Sequence, residues 1–193
     1  MSNSTASNYL ASNSMGRVVK KTQQNEKTGQ SRHTDAVDEV LAQWQRERPD
    51  LDLVTMGVFG RLGQLSLLLA PALDEVFTRH GLQSGEFDVL AALRRSGPPY
   101  TLIPSVLAKT LMLSRAGMTN RLDRLEAAGL VERTLDPADR RSFRVSLTDR
   151  GYEVVDAAVT DHVANENRLL ASLTPEERET LHRALRGLLR AVG

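Results

Sequence analysis

Basic side chains concentrate between residues 94 and 144 of this 193-residue chain. The segment holds ten Lys or Arg against five Asp or Glu, although the net charge of the whole chain is only +1. Arg140 and Arg141 are adjacent and follow Pro137 and Asp139 in a polar run that is typical of a turn. Guanidinium groups bind phosphates and base edges, and a basic segment in a balanced chain indicates a polyanionic partner. The sequence therefore predicts a DNA-binding segment.

The elements around these arginines are those of a winged helix-turn-helix. Ser114 is a candidate N-cap for a helix that extends to Gly129, where glycine favours a helix end. Residues 130–134 and 143–147 are predicted strands, and the polar run at 136–141 joins them as a wing. A helix fits the major groove of duplex DNA, and arginines at the tip of a wing suit the narrow minor groove.

Helical angles divide the side chains of this recognition helix between two faces. At about 100° per residue, Met118, Leu122 and Leu125 fall on one face, which we expect to be buried. Asn120 and Arg124 fall on the opposite face, and both residue types can make paired hydrogen bonds to base edges. We expect Asp139 to stabilise the turn or orient the arginines. The predicted DNA contacts are Ser114, Arg115, Thr119, Asn120, Arg124, Arg140 and Arg141.

Most of the remaining chain has helical patterning. Val37, Val40, Leu41 and Trp44 recur at helical spacing, and Pro49 predicts the end of that helix. Further helices are predicted over 51–80, 84–95 with Ser84 as N-cap, 103–111, 148–172 and 174–192, the last opened by a capping box with Pro175 in its first turn.

The predicted fold class is mainly α, a winged helix-turn-helix with a small β-wing between helical regions. Residues 1–33 are polar and mildly basic and are predicted to be an inert disordered tail. Residues 34–193 are predicted to form a single domain. Within it, 34–82 and 149–193 supply dimerisation helices, and 84–148 form the DNA-binding part.

Several functional classes lack their expected residues. The chain has no cysteine, which excludes disulfides, thiolate metal sites and thiol redox switches. Its four histidines have no metal-ligand spacing, and no phosphate loop or nucleophile motif is present. We therefore expect no enzyme, no metal and no cofactor. We also expect no membrane span, since no 18-residue apolar run is evident and the N-terminus lacks an apolar leader, so the predicted location is the bacterial cytoplasm, with association with the nucleoid when bound to DNA.

The stretch from 100 to 151 resembles the MarR family of bacterial transcription regulators. The resemblance extends in element order over 35–193 and implies an obligate homodimer whose terminal helices interlock and which binds pseudo-palindromic DNA, usually as a repressor. The residues that carry it are Leu113-Ser114, Met118-Thr119, Arg121-Leu122, Arg124-Leu125-Glu126, Ala128-Gly129-Leu130-Val131, Arg133, Asp139-Arg140-Arg141, Leu147-Thr148 and Gly151.

A narrower resemblance, to the urate-responsive subgroup of that family, implies a small-molecule effector. It is carried by Trp44, the segment Arg46 to Asp52, and Gly60-Arg61-Leu62. Urate is a planar, singly charged purine, so an aromatic ring can stack on it and arginines can bind its oxygens. The ligand residues that the resemblance implies are Trp44, Arg61, Asp88, Arg121 and Arg133.

Arg121 lies about 65° from the centre of the core stripe, from where it could reach Asp88. An anionic ligand would repel the Asp88 carboxylate and compete for Arg121, so that the recognition helix tilts. Other interpretations stay open: Trp44 as a core residue, Asp88 as a solvated acid, Arg61 as a surface or interface charge, and Arg133 as a phosphate contact. The effector could also be another purine, a phenolic carboxylate or another small anion, and the winged helix could serve protein–protein contact alone.

Overall fold

The computed structural model describes residues 34–137 and 142–193, which form two compact units, one up to Leu69 and one over Ala70–Gly193. The two units are described separately below as the N-terminal and the C-terminal unit. The expectations for the tail at 1–33, for Asp139, Arg140 and Arg141, and for the side chain of Arg115 lie outside what the structure describes. The elements are α1 Ala36–Glu47, α2 Val54–Arg79, α3 Ser84–Arg95, β1 Thr101–Leu102, α4 Pro104–Thr110, α5 Arg115–Ala127, β2 Val131–Leu135, β3 Phe143–Leu147, α6 Asp149–Leu169 and α7 Pro175–Val192.

Glycines in the N-terminal unit let α1 and α2 approach closely. A β-carbon on Gly57 would lie 3.0 Å from Leu41 Cδ1, and one on Gly60 would lie 2.9 Å from Val37 Cγ1. The stripe predicted from Val37 to Trp44 therefore packs partly on α2. Asp35 is the N-cap residue of α1, and its carboxylate accepts the backbone N–H groups of Val37 and Asp38.

The core of the C-terminal unit is built from the end of α2 at Phe77, from α3, α4, α5 and α6, and from the sheet. Leu90, Leu93 and Leu107 are fully buried at its centre. The predicted inner face of the recognition helix is confirmed, since Met118, Leu122 and Leu125 are each at most 2% exposed.

The sheet has three antiparallel strands in the order β1-β3-β2, in which Thr101 pairs with Ser146 and Arg133 with Val145. The predicted wing hairpin is confirmed. β2 begins one residue later than expected because the Leu130 N–H still bonds to the Leu125 carbonyl, after Gly129 has turned the chain with a φ of +68°. β1 was not predicted, since a two-residue strand shows no alternation.

Two predicted helix caps are confirmed, because Ser114 and Thr174 each accept a backbone N–H from the first turn of their helix. Thr148, where the next predicted helix begins, is the N-cap of α6 and accepts the Gly151 N–H. The predicted cap of α3 is wrong. Gln83 is the N-cap residue there, and its backbone N–H donates to the Glu86 carboxylate at 2.9 Å, while Ser84 is already helical. The acidic side chain three residues on, rather than a cap hydroxyl, therefore stabilises the start of α3.

α2 is more apolar than the sequence analysis expected. It contains an 18-residue window of mean hydropathy 1.3 that is only 6% buried, so by length and composition alone it could cross a membrane. The expectation that no such stretch exists is wrong, because Arg61 is the one charged residue between Val54 and Pro71. Length and composition are weak evidence for a span, since an apolar helix that pairs with another protein surface has the same character.

Candidate nucleic-acid interface and ligand site

The outer face of α5 is accessible, as a recognition helix requires. Thr119, Asn120 and Asp123 are exposed on it. Ser114 precedes the first turn, where its hydroxyl oxygen accepts the Gly117 N–H at 3.1 Å. That bond leaves the hydroxyl hydrogen of Ser114 as a donor for a phosphate at the helix N-terminus.

The base of the wing is closed by contacts that the sequence analysis missed. The Asp136 N–H donates to the Ser142 carbonyl at 2.9 Å, and the Asp136 carboxylate, 12% exposed, pairs with Arg144 at 3.0 Å. A turn aspartate at position 136 was visible in the sequence, but its partner is set by the cross-strand pairing. The wing strands are therefore joined directly below the predicted arginine tip.

Arg124, predicted to contact DNA, is held by α3. Its Nε donates to Glu86 Oε1 at 2.6 Å, and its Nη2 donates to Gln83 Oε1 at 3.4 Å. The Glu86 side chain is 10% exposed, whereas that of Arg124 is 48% exposed. Helical angles alone could not find this ion pair, because they place a residue on its own helix and not against a neighbour.

Arg121 lies across the first turn of α3. A β-carbon on Gly85 would lie 2.4 Å from the guanidinium carbon of Arg121, so the absent side chain makes room for this arginine. Asp88 is exposed one turn further along α3, on the same side as Gly85. Within the described residues, Asp88 and Arg121 form no hydrogen bond or ion pair with each other.

Arg133 on β2 is anchored to the second half of α5. Its Nη2 pairs with the carboxylates of Asp123 and Glu126, the latter at 2.9 Å. Its Nε is buried and has no hydrogen-bond partner among the described residues. An unpaired buried N–H is costly, and it is a donor that an acceptor from outside the chain could satisfy.

In the N-terminal unit, Trp44 is 45% exposed, so its ring is not a core residue of that unit. Arg61 is fixed by two acids of α1, with Nε 2.8 Å from Asp35 Oδ2 and Nη2 2.5 Å from Asp38 Oδ1. The hydrogen bonds to Asp38 and then Asp35 raise the pKa of Arg61. The backbone N–H of Asp38, followed by Arg61 itself, lowers the pKa of Asp35 below its usual value. Arg61 is therefore an oriented cation.

Comparison with known proteins supports the resemblance seen in the sequence. The model of the MarR family matches residues 80–142, which contain α3, α4, α5 and β2. The chain is 45% identical to the HTH-type transcriptional regulator PecS of Dickeya dadantii over 151 residues, which are 78% of this chain and 90% of that protein.

Solved structures agree. Sco3205 from Streptomyces coelicolor, a MarR family transcriptional regulator in complex with DNA, aligns with a TM-score of 0.65 at 28% identity over 74% of this chain and 89% of its own. A mutant of MarR from Escherichia coli complexed with operator DNA aligns with a TM-score of 0.61 at 26% identity over 72% of this chain and 99% of its own.

Proposed function

We propose that this chain, which belongs to the MarR family of DNA-binding transcriptional regulators, acts as a homodimeric repressor. Members of that family are not enzymes. We further propose that urate or a related aromatic anion releases the repressor from its operator. The observation that carries the DNA-binding part of the proposal is the accessible outer face of α5 beside the paired wing strands. The ligand part is supported by the resemblance to the urate-responsive subgroup. The protein acts on the bacterial nucleoid, in the cytoplasm.

In the proposed complex, α5 enters the major groove. Asn120 and Thr119 meet base edges, and Ser114 and Arg115 at the N-terminus of the helix bind phosphate. Arg140 and Arg141 reach the minor groove from the tip of the wing. Two subunits related by a two-fold axis present two such units to half-sites about one helical turn apart, so that the operator is pseudo-palindromic.

Bare apolar side chains support the homodimer. α7 has no buried residue, yet Leu181, Leu185, Leu189 and Val192 form a stripe along it and are each at least 38% exposed. In the N-terminal unit, α2 exposes Phe59 and other large apolar side chains in the same way. Apolar surface of this extent on a soluble regulator calls for a partner, and a second copy supplies a self-complementary one.

The proposed ligand residues are Trp44, Arg61, Asp88, Arg121 and Arg133. The exposed Trp44 ring offers a stacking surface, Arg61 offers an oriented charge, and Arg133 has an unused buried N–H. A bound anion repels the Asp88 carboxylate and competes for Arg121 of α5, whose guanidinium packs over Gly85 of α3. Ligand and operator therefore favour different positions of α5. This differential affinity is what allows the ligand to release DNA.

The first expected result concerns the fluorescence of Trp44, which is the only tryptophan. Titration with urate should quench the emission of Trp44 until the site is saturated, because a purine stacked on the indole ring quenches its excited state. Trp44→Phe should remove the signal but leave operator binding in place. Salicylate and xanthine, titrated in parallel, separate a phenolic carboxylate or another purine from urate. Absence of saturable quenching by any purine, in protein that still binds its operator, would contradict the urate assignment.

The second expected result concerns Asp88→Ala. Asp88 is exposed and forms no ion pair among the described residues, so its removal should change the free energy of unfolding by less than about 0.5 kcal/mol. Operator affinity should remain, while the ligand concentration for half-release should rise about tenfold, a typical coupling between sites. A mobility-shift titration measures both. Asp74→Ala, which removes an exposed acid from α2, is the matched control, and equal ligand response in the two variants would remove Asp88 from the mechanism.

A further inference from the structure

Glu86 is a nearly buried carboxylate, and both of its oxygens are engaged. The residue is 8% exposed. Oε2 accepts the backbone N–H of Gln83 at 2.9 Å and so caps α3, while Oε1 accepts Nε of Arg124 at 2.6 Å. One side chain therefore fixes the first turn of α3 and a point on the recognition helix at the same time.

The burial of Glu86 dictates where Arg124 must lie. A carboxylate withdrawn from water needs a partner charge, and Arg124 is its ion-pair partner in the described part of the chain. Arg124 itself is half-exposed, so water could solvate it in many other positions. Glu86 on α3 therefore determines the orientation of the Arg124 guanidinium, and the position of Arg124 on α5 alone does not.

A second contact joins α5 to α3 beside the Arg124–Glu86 ion pair, so the two helices are linked at two points. Arg121 precedes Arg124 by three residues, so both project from the same side of α5. Arg121 covers Gly85, and Arg124 bonds to Glu86, the next residue of α3. Two points of attachment one turn apart fix the rotation of α5 about its axis, which a single point would leave free.

We propose that Glu86 is the positioning residue of the recognition helix and that Arg124 holds α5 against α3 instead of contacting DNA. The rotation of α5 decides which base edges Asn120 and Thr119 meet. Loss of the link therefore affects sequence-specific binding, whereas binding to phosphates is unaffected. The proposal depends on DNA binding alone and is independent of the identity of the ligand.

Salt dependence distinguishes a positioning residue from a DNA contact. Each phosphate contact that is lost lowers the slope of log affinity against log salt by about 1 and weakens binding to all sequences alike. A misplaced recognition helix lowers the ratio of specific to non-specific affinity and leaves the slope unchanged. A purely structural effect would move the thermal midpoint but not this ratio at a temperature where the variant is folded.

The experiment compares E86Q, R124Q, R124K and the double variant E86Q/R124Q with the parent protein. Fluorescence anisotropy measures binding to an operator selected by the parent from a random DNA library, and to a scrambled duplex, at several salt concentrations. Glu153→Gln, which neutralises an exposed acid on α6, is the matched control for E86Q. R124K keeps the charge of Arg124 but lacks the planar donors that fit the Glu86 carboxylate.

We expect each of the three single variants at positions 86 and 124 to lose about tenfold in operator affinity, the equivalent of one charged hydrogen bond, with an unchanged salt slope. The double variant should be no weaker than the weaker single variant, because both changes break one link. If E86Q does not fold, R124K and R124Q decide the question. A lower slope in R124Q together with full operator affinity in R124K, or unchanged specificity in folded E86Q, would overturn the proposal.

Discussion

The double variant Leu185→Asp/Leu189→Asp is expected to be monomeric and to bind the operator at least about a thousandfold more weakly than the parent, close to its non-specific affinity. These leucines are one turn apart on α7 and are 38% and 69% exposed. In the proposed dimer they face apolar surface, where two unpaired carboxylates cannot be buried. A monomer presents one recognition helix and one wing, so it binds only one half-site and loses the gain from the second.

Light scattering after size exclusion measures the oligomeric state, and a mobility-shift assay measures operator affinity. Arg183→Asp is the matched control, since residue 183 lies on the opposite side of α7 and receives the same carboxylate. The control should remain dimeric. A double variant that stays dimeric and binds the operator with full affinity would show that the α7 stripe is not the interface.

Gly151→Ala is expected to give a large loss of stability although it adds only one methyl group. A β-carbon on Gly151 would lie 1.8 Å from the carbonyl oxygen of Leu130, which is backbone and cannot swing aside as a side chain could. That carbonyl also accepts the Thr148 N–H, and Gly151 donates its own N–H to the Thr148 hydroxyl at the start of α6. Any shift of α6 therefore disturbs its cap and the start of β2 together.

We expect a loss of about 3–5 kcal/mol in the free energy of unfolding, at the upper end for a point substitution. For a chain of this size, that corresponds to a fall of about 10 °C in Tm, measured by circular dichroism. Gly187→Ala is the matched control, because a β-carbon there meets nothing within 4 Å and alanine favours a helix. Equal Tm values for the two variants would mean that α6 can move away from Leu130 at little cost.

Features that depend on neighbouring residues in the chain could be predicted from sequence. The caps at Ser114 and Thr174 follow from side chains that reach backbone groups three residues away. The buried face of α5 follows from helical periodicity, because a 3.6-residue repeat separates its leucines from its polar residues.

Features that depend on tertiary contacts could not be predicted from the sequence. The Glu86–Arg124 link joins residues 38 positions apart, and the Arg61–Asp35 pair joins residues 26 apart. Each of these charged residues, read alone, is typical of a solvated helix face, and only the packing of one helix on another pairs them. The angle of Arg124 on α5 predicts a DNA contact, but it could not reveal the ion pair with Glu86 on a neighbouring helix.

The closed base of the wing separates the part of the hairpin that stabilises the fold from the part that is predicted to contact DNA. The Asp136–Ser142 backbone bond and the Asp136–Arg144 ion pair close β2 against β3 without using residues 138–141, so we expect the pairing of the strands to tolerate changes at the tip. Substitutions, and even changes of length, can accumulate there under selection for a new operator while the fold keeps its stability. We therefore expect DNA recognition by the wing to change with its tip residues at little cost in the free energy of unfolding.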